Sequence, residues 1–526
     1  MSELPKSWIL ITLGQIADII RGVTYKKENA RTSSSEGLLP LLRATNISQE
    51  LDFDDLVYVP KRNVSDLQLL RRGDIVIAAS SGSKSVVGKA AVLKSDWTGT
   101  FGAFCAVARP NEGIAARYLS YYLQTGEYRS YVSACSAGVN INNLKASDLE
   151  SFELKLAPRE EQSRIVAEIE KQFTRLDAAT AALKRVQANL KRYRASVLKA
   201  ACEGRLVPTE AELARKEGRA YEPADELLQR ILRERRTRWE ADTLAKMQAS
   251  GNDPKDDLWK QRYSDPEAPD STSIGNLPDG WTWASPDQLA ATDDNSICAG
   301  PFGTIFKAKD FRPAGIPIIF LRHVSAGRYL THKPGFMDSW IWEDRFRPYS
   351  VFGGELLITK LGDPPGVCAI YPKNSGPAMV TPDVIKMSVN ESAAKTRYLM
   401  HYINSDRARQ YSTGACFGTT RLRLTLPIFR TMPVALPPIH EQVRIAAEID
   451  RHLSNVEALE TLMAGELSRA GGLRHSILKS AFTGNLVPQD SADEPASGLL
   501  ERIRAERNSS GTKLQGRRSR KELAHA

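Results

Sequence analysis

The segment APREEQSRIVAEIE, Ala157 to Glu170, returns as PPIHEQVRIAAEID, Pro437 to Asp450, with eight of fourteen positions identical at an offset of 280 residues. A second segment, SVLKAACEGRLVP (Ser196 to Pro208), returns at the same offset as SILKSAFTGNLVP (Ser476 to Pro488), with eight of thirteen identical. A third, EPADELLQRILRER (222–235), recurs as EPASGLLERIRAER (494–507), offset by 272 because the second loop is shorter. A repeat on this scale constrains the fold more than any composition, because it makes the chain two copies of one unit. The stretches of roughly 150 residues ahead of each copy barely match. A surface presented twice suits one partner bound twice, whereas two unlike domains suit two different ligands.

The repeat divides the chain. Residues 1–156 form a first variable domain, 157–203 a first helical region and 204–274 a charged connector with a short helix. Residues 275–436 form a second variable domain, 437–484 a second helical region, and 485–526 a C-terminal helix with a basic, disordered tail. The first helical region carries a heptad through Ile165, Ile169, Leu176, Ala179, Leu183, Val186, Leu190, Tyr193, Val197 and Ala200, broken at Gln172. Shifted by 280, the seam is Ile445, Ile449, His452, Val456, Leu459, Met463, Glu466, Ala470, Leu473, Ile477 and Ser480. The polar slots there can be relieved by Leu453, Leu467 and Ala481. Seams of period 3.5 pack as coiled coils, and two copies in one chain favour an intramolecular antiparallel pair over a homodimer zipper. Pro158, Glu160 and Glu161 suit a helix start, and about 42 residues at ~1.5 Å each give a rod of ~60 Å.

The variable domains read as mixed. Short apolar stretches such as DIVIAAS (74–80) and ELLITK (355–360) alternate with Gly-rich turns, and LPKSW (4–8) matches LPDGW (277–281). The two domains are therefore expected to share a fold and differ in their loops. The fold class is α+β: two mixed α/β domains separated by two long helices pairing as an antiparallel coiled coil, in a pseudo-two-fold internal repeat.

Bulk properties narrow the function. Hydrophobic residues make up 42% and charged residues 25%, an ordinary globular balance. No apolar run approaches the ~18 residues that span a bilayer, and the N-terminus lacks a basic start with an apolar core, so a cytoplasmic protein is expected. The six cysteines form no Cys-x-x-Cys pair and read as free thiols. The seven histidines all follow residue 320 without metal-ligand spacing, so no metal site is expected. A net charge of +10 is a mild signal for a polyanionic partner.

Catalytic motifs are missing. GSKSVVGKA (82–90) resembles a phosphate-binding loop, but five residues separate Gly82 from Gly88, Ala90 follows Lys89, and the segment lies between two β-like stretches. PDVIK (382–386) resembles a nuclease carboxylate–lysine motif without spaced partner carboxylates. No Gly-x-Ser-x-Gly elbow, no Asn-Pro-Pro-aromatic signature and no Gly-rich fingerprint after a strand is found, so the chain reads as non-catalytic, with no cofactor of its own.

Loop chemistry points to nucleic acid. Arg and Lys neutralise phosphates or read guanine, Asn reads adenine, and small residues allow close approach. The first domain offers Ser81, Ser83, Lys84, Lys89, Asn140, Asn142 and Asn143, with Lys26, Lys27 and Arg43 nearby. The second offers Lys360, Thr419, Thr420, Arg421 and Arg423, with Arg322 and His323 as further candidates. Ordinary solvated turns have the same composition.

The order of variable domain, helix with Glu-Gln-x-Arg-Ile, variable domain and the same helix again resembles the specificity subunit of type I restriction–modification systems. EEQSRIVAEIE with LKAACEGRLVP, repeated as HEQVRIAAEID with LKSAFTGNLVP, carries most of the likeness, and RGVTYKK, SSGSKSVVGK, FGAFC and SAGVNINN resemble a target-recognition domain. The resemblance implies a subunit that does no chemistry. Each domain would read half of a split, asymmetric site in double-stranded DNA, with the helices setting the spacing. It also implies two methyltransferase subunits, which carry S-adenosylmethionine and methylate adenine, docked around the helical regions. Two restriction/translocase subunits using ATP and Mg complete the enzyme. A stand-alone site-specific DNA-binding protein and a coiled-coil scaffold without a DNA role remain open on the residues alone.

Overall fold

The computed structural model describes residues 4–136, 142–269, 275–301, 307, 310–362, 364–415 and 422–522. The chain divides into two compact units. The first takes both ends of the chain, 1–184 and 463–526, and the second is the contiguous stretch 185–462. The division runs through both long helices, α1 (Arg159–Cys202) and α3 (Ile439–Ala481).

In the first unit a four-stranded antiparallel sheet has the order Ala17–Arg21, Cys105–Pro110, Ile75–Ala78, Ala90–Val92. A three-stranded sheet places Leu38–Leu42 between Val57–Pro60 and Thr100–Phe101, the last pair parallel. Ile9–Thr12 closes on Glu153–Leu156. The second unit repeats this plan. Its first sheet runs Ile297–Ala299, Val384–Met387, Leu356–Thr359, Cys368–Ile370. Its second centres on the parallel pair Ile316–Ile319 and Ala378–Val380, and Thr282–Ala284 closes on Val434–Leu436. The shared fold expected from the weak sequence correspondences is thus present, with a parallel strand pair at the same place in each unit.

Each unit is completed by helix segments from elsewhere in the chain. In the second, Ala224, Leu227, Leu228 and Ile231 of α2 (Ala224–Ala249) enter the same core as Trp281, Leu399 and Ile445. In the first, the equivalent residues Ala496, Leu499, Leu500 and Ile503 of α4 (Ala496–Glu522) enter the core with Trp8, Tyr118 and Ile165. The connector helix is longer than the short helix expected, at 26 residues. The tail after about 508, expected to be irregular, continues α4 to Glu522.

The long helices pair antiparallel. Asp177 bonds Arg474, whose guanidinium lies 4.3 Å from the Phe173 ring centroid, while Tyr193 Oη lies 2.6 Å from His452 Nδ1 and Arg194 pairs with Glu460. The heptad is only partly a core. Ile165, Ile169, Leu190, Val197, Ile445, Ile449, Val456 and Met463 are buried, but Val186, Tyr193, Leu459 and Leu473 are exposed. Two helices alone cover one face of each other, so mid-helix seam residues stay open where no third layer packs on them. Phe173 takes the place of the polar Gln172, and Ala481 takes over from Ser480.

Candidate nucleic-acid interface

The copied residues build the frame behind the interface. Trp8 Nε1 donates to Glu161 Oε2 at 2.9 Å, and Trp281 Nε1 to Glu441 Oε1 at 3.0 Å. Gln162 accepts from the Ala115 N–H and donates to the Ala157 carbonyl; Gln442 does the same with Lys395 and Pro437. Arg164 holds Asp493, and Arg444 holds Glu210. Glu161, Gln162, Ile165, Glu441, Gln442 and Ile445 are all at most 1% exposed. The Glu-Gln-x-Arg-Ile identity therefore records shared packing. Trp8 and Trp281 close the same clamp, which explains why LPKSW and LPDGW kept their likeness.

Glu441 is unusual in this frame. It accepts from Trp281 and from the Glu210 N–H, 2.8 Å away. Burial outweighs those donors and the nearby Arg444 and pushes its carboxyl up to about 7 from an ordinary 4.5. In the unfolded chain the group ionises near 4.5, so the folded unit binds the extra proton between those values, and stability falls as pH rises from about 4.5 to 7. Glu441→Gln is expected to remove this slope from the second unit's urea midpoint. If the variant's midpoint drops between pH 5 and 7.5 as steeply as the wild type's, another group is responsible.

Beside each frame lies a groove where the domain meets its helix. In the first unit it encloses about 450 Å³ between the Gly73–Leu93 turn and the helix face bearing Ser163, Val166 and Ala167, with Arg117 paired to Glu170 at its rim. In the second it encloses about 1050 Å³ between Gly353, Gly354 and Pro372 on one side and Val443, Ala446 and Ala447 on the other, with Arg397 paired to Asp450. Burial raises Asp450, but bonds from His401 and Arg397 outweigh it and hold the carboxyl at about 2. Exposed on both floors is the same residue, Ala167 and Ala447, 280 positions apart.

At the candidate interface of the first domain, Ser80–Ser81 pairs antiparallel with Asn142–Asn143, which places Ser81 opposite Asn142. Two loops singled out by composition are thus neighbours. Ser83 and Lys84 are exposed on the same turn, and Lys89 is half-buried. Arg129, which sequence reasoning missed, donates to the carbonyls of Val87 and Ser85 and holds this turn in place. Gly88 is required there: φ is +78° and a Cβ would lie 2.7 Å from Val132. The glycine spacing of GSKSVVGKA is therefore that of a hairpin packed on a helix. Lys26 is exposed, and Arg43 is tied to Asp55 by a 2.8 Å ion pair. Asn140 and the Lys27 and Asn142 side chains lie outside the described residues.

In the second domain Leu361 bridges to Arg423. Lys360 is buried, and burial, with the Arg423 charge, lowers its ammonium from the ordinary value. Arg423 reaches Asp383 at 3.4 Å. Thr419, Thr420 and Arg421 lie outside the described residues. His323 is 2% exposed; its Nδ1 accepts from the Phe320 N–H and its Nε2 faces the His332 carbonyl, so the ring staples its own loop and has no free edge for a base. Arg322 stacks on Phe320 at 4.0 Å and donates to the Lys333 carbonyl. In PDVIK, Lys386 is buried in the sheet against Glu355, 3.3 Å away, which makes it a structural pair. Among the described residues no group of three or more His, Cys, Asp or Glu could hold a metal ion, and no helix is long and apolar enough to cross a membrane.

A duplicated helical frame that carries two domains of one fold with unlike loops defines a two-site recognition protein. A family model for the type I restriction modification DNA specificity domain matches residues 5–191. The chain is 28% identical over 530 residues to the specificity subunit of the type I restriction enzyme EcoKI of Escherichia coli (strain K12), covering 98% of this chain and 99% of that one. It is 28% identical over 529 residues to the StySPI specificity subunit of Salmonella potsdam, with the same coverage. A chain from a solved structure concerned with complex assembly and conformational transition of the type I R-M system shares the fold, with a TM-score of 0.62 at 15% identity over 92% of this chain and 99% of that one. Over its full length the chain is thus similar to specificity subunits of type I restriction enzymes, and its residues 5–191 match the model of their DNA specificity domain.

Proposed function

We propose that this chain is the DNA-reading subunit of a type I restriction–modification complex, each domain recognising one half of a bipartite, asymmetric site. The observation that carries this is the pair of candidate interfaces: the same backbone pairing recurs in both domains with different side chains around it. Ser81, Ser83, Lys84, Lys89 and Asn143 are the contacts proposed for one half, and Arg423 for the other, with the buried Lys360 behind it. The long helices fix the separation of the halves. Two methyltransferase subunits dock, one in each groove, and bring the S-adenosylmethionine chemistry that methylates adenine. Two restriction/translocase subunits, using ATP and Mg, add cleavage.

Co-expression with the cognate methyltransferase tests this reading. Two methyltransferase copies are expected to co-purify with one chain, and adenine-methylation sequencing should show one bipartite motif that vanishes without it. Ala167→Arg or Ala447→Arg, each on an exposed groove floor, should reduce the count to one copy, and the double variant to none. Tight binding to the site by the isolated chain with no methyltransferase recovered would favour a stand-alone DNA-binding protein. Two copies retained by the double variant would place docking elsewhere.

A further inference from the structure

The two domains share a three-way backbone junction whose side chains have nothing in common. In the first, the Ala79 N–H donates to the Phe104 carbonyl at 2.9 Å, and the Leu144 N–H donates to the Ala79 carbonyl at 2.8 Å. In the second, the Lys360 N–H donates to the Asp383 carbonyl at 2.8 Å, and the Leu424 N–H to the Lys360 carbonyl at 2.8 Å. Positions 79, 104 and 143 of one domain thus correspond to 360, 383 and 423 of the other. The side chains are Ala, Phe and Asn in the first and Lys, Asp and Arg in the second.

Phe104 is 66% exposed, although a benzyl side chain gains most from burial. Among the described residues its ring joins no aromatic pair, and its carbonyl accepts from Ala79 and Ser80, beside the Ser81–Asn142 pairing. At the corresponding place Asp383 faces Arg423, both side chains about half exposed. A rigid backbone junction with an apolar ring on one copy and a buttressed guanidinium on the other has the form of a readout position. Apolar contact distinguishes the thymine methyl, and Arg is the usual partner of guanine O6 and N7.

We propose that residues 104 and 383/423 are the equivalent specificity-determining positions of the two domains. Phe104 contacts a thymine methyl in the first half-site, and Asp383 orients Arg423 toward a guanine in the second. The inference rests on the reading that both domains bind DNA.

The test uses the complete complex with its methyltransferase and a duplex panel in which each base pair of the motif is changed singly. Phe104→Ala should weaken binding to the cognate duplex about 5- to 150-fold, the range of one good base contact, and abolish discrimination at one thymine. Replacing that thymine by uracil, which lacks only the methyl, should weaken wild-type binding and leave the variant unchanged. Arg423→Ala should relax one position of the other half-site, and Asp383→Asn should relax the same position more weakly. Variants that keep every preference, or lose affinity equally for all sequences, overturn the inference. A wild-type complex with no preference in either half overturns instead the DNA-reading function on which it rests.

Discussion

Deleting residues 489–526 is expected to unfold the first unit and leave the second standing. Leu499, Leu500 and Ile503 are at most 6% exposed in the core that also holds Trp8 and Ile165. Full burial of each such side chain contributes about 1.5–3 kcal/mol, so three together supply about 5–9 kcal/mol, comparable with the whole stability of a domain, about 5–15 kcal/mol. In the same segment the Ala496 N–H donates to the Ser7 carbonyl, Asp493 accepts from Arg164, and Arg507 donates to Asp18. Urea unfolding of the full chain should show two transitions, one of which disappears on truncation, with residues 1–156 becoming sensitive to protease. A truncated chain that keeps both transitions would show that α4 is dispensable. Leu499→Ala with Ile503→Ala, which preserves chain length, should weaken the same transition, at about 2–5 kcal/mol per site.

The second large effect concerns target spacing. Inserting four residues after Lys184 in α1 and four after Leu462 in α3 adds about one turn, roughly 6 Å, to each helix while keeping the antiparallel register. At ~3.4 Å per base pair, methylation mapping should return unchanged half-sites with a spacer longer by one or two base pairs. Affinity for the original sequence should fall by at least about a hundredfold, because each lost base contact costs ~1–3 kcal/mol and one half-site cannot be fully engaged. An unaltered spacer would assign the separation to something other than the helices.

The repeat made the architecture legible in advance, because identical residues at a fixed offset survive only where the same packing recurs. The same identity does not by itself mark a surface. Glu161 and Glu441 are copied because each closes on a tryptophan, and their burial leaves them nothing to offer a partner. The seam was legible where domains cover it, at Ile165 and Ile445, and failed at Val186 and Leu459, where periodicity cannot tell a two-layer contact from a deeper core. His452, an uncomfortable core residue on sequence, is satisfied by the Tyr193 hydroxyl from the opposite helix, a partner 259 positions away. Loop composition named Ser81 and Asn142 in separate loops, and only the fold shows that they pair. Composition did not report the exposure of Phe104, because an apolar side chain in a glycine-rich turn reads as buried, and it admitted His323 as a further candidate, because polarity does not report a ring already bonded at both nitrogens.

The division of the chain into an inner contiguous unit and an outer discontinuous one has a consequence for biosynthesis. Chains emerge from the ribosome at about 5–20 residues per second and domains tend to fold in order of appearance. Here that order is inverted. Residues 185–462 can close on themselves as soon as they are made, whereas the domain that precedes them waits for residues 496–503 to seal its core. During that interval Trp8, Tyr118 and Ile165 lack their final cover. The first core therefore stays open until Leu499, Leu500 and Ile503 have been made and can pack on Trp8, Tyr118 and Ile165.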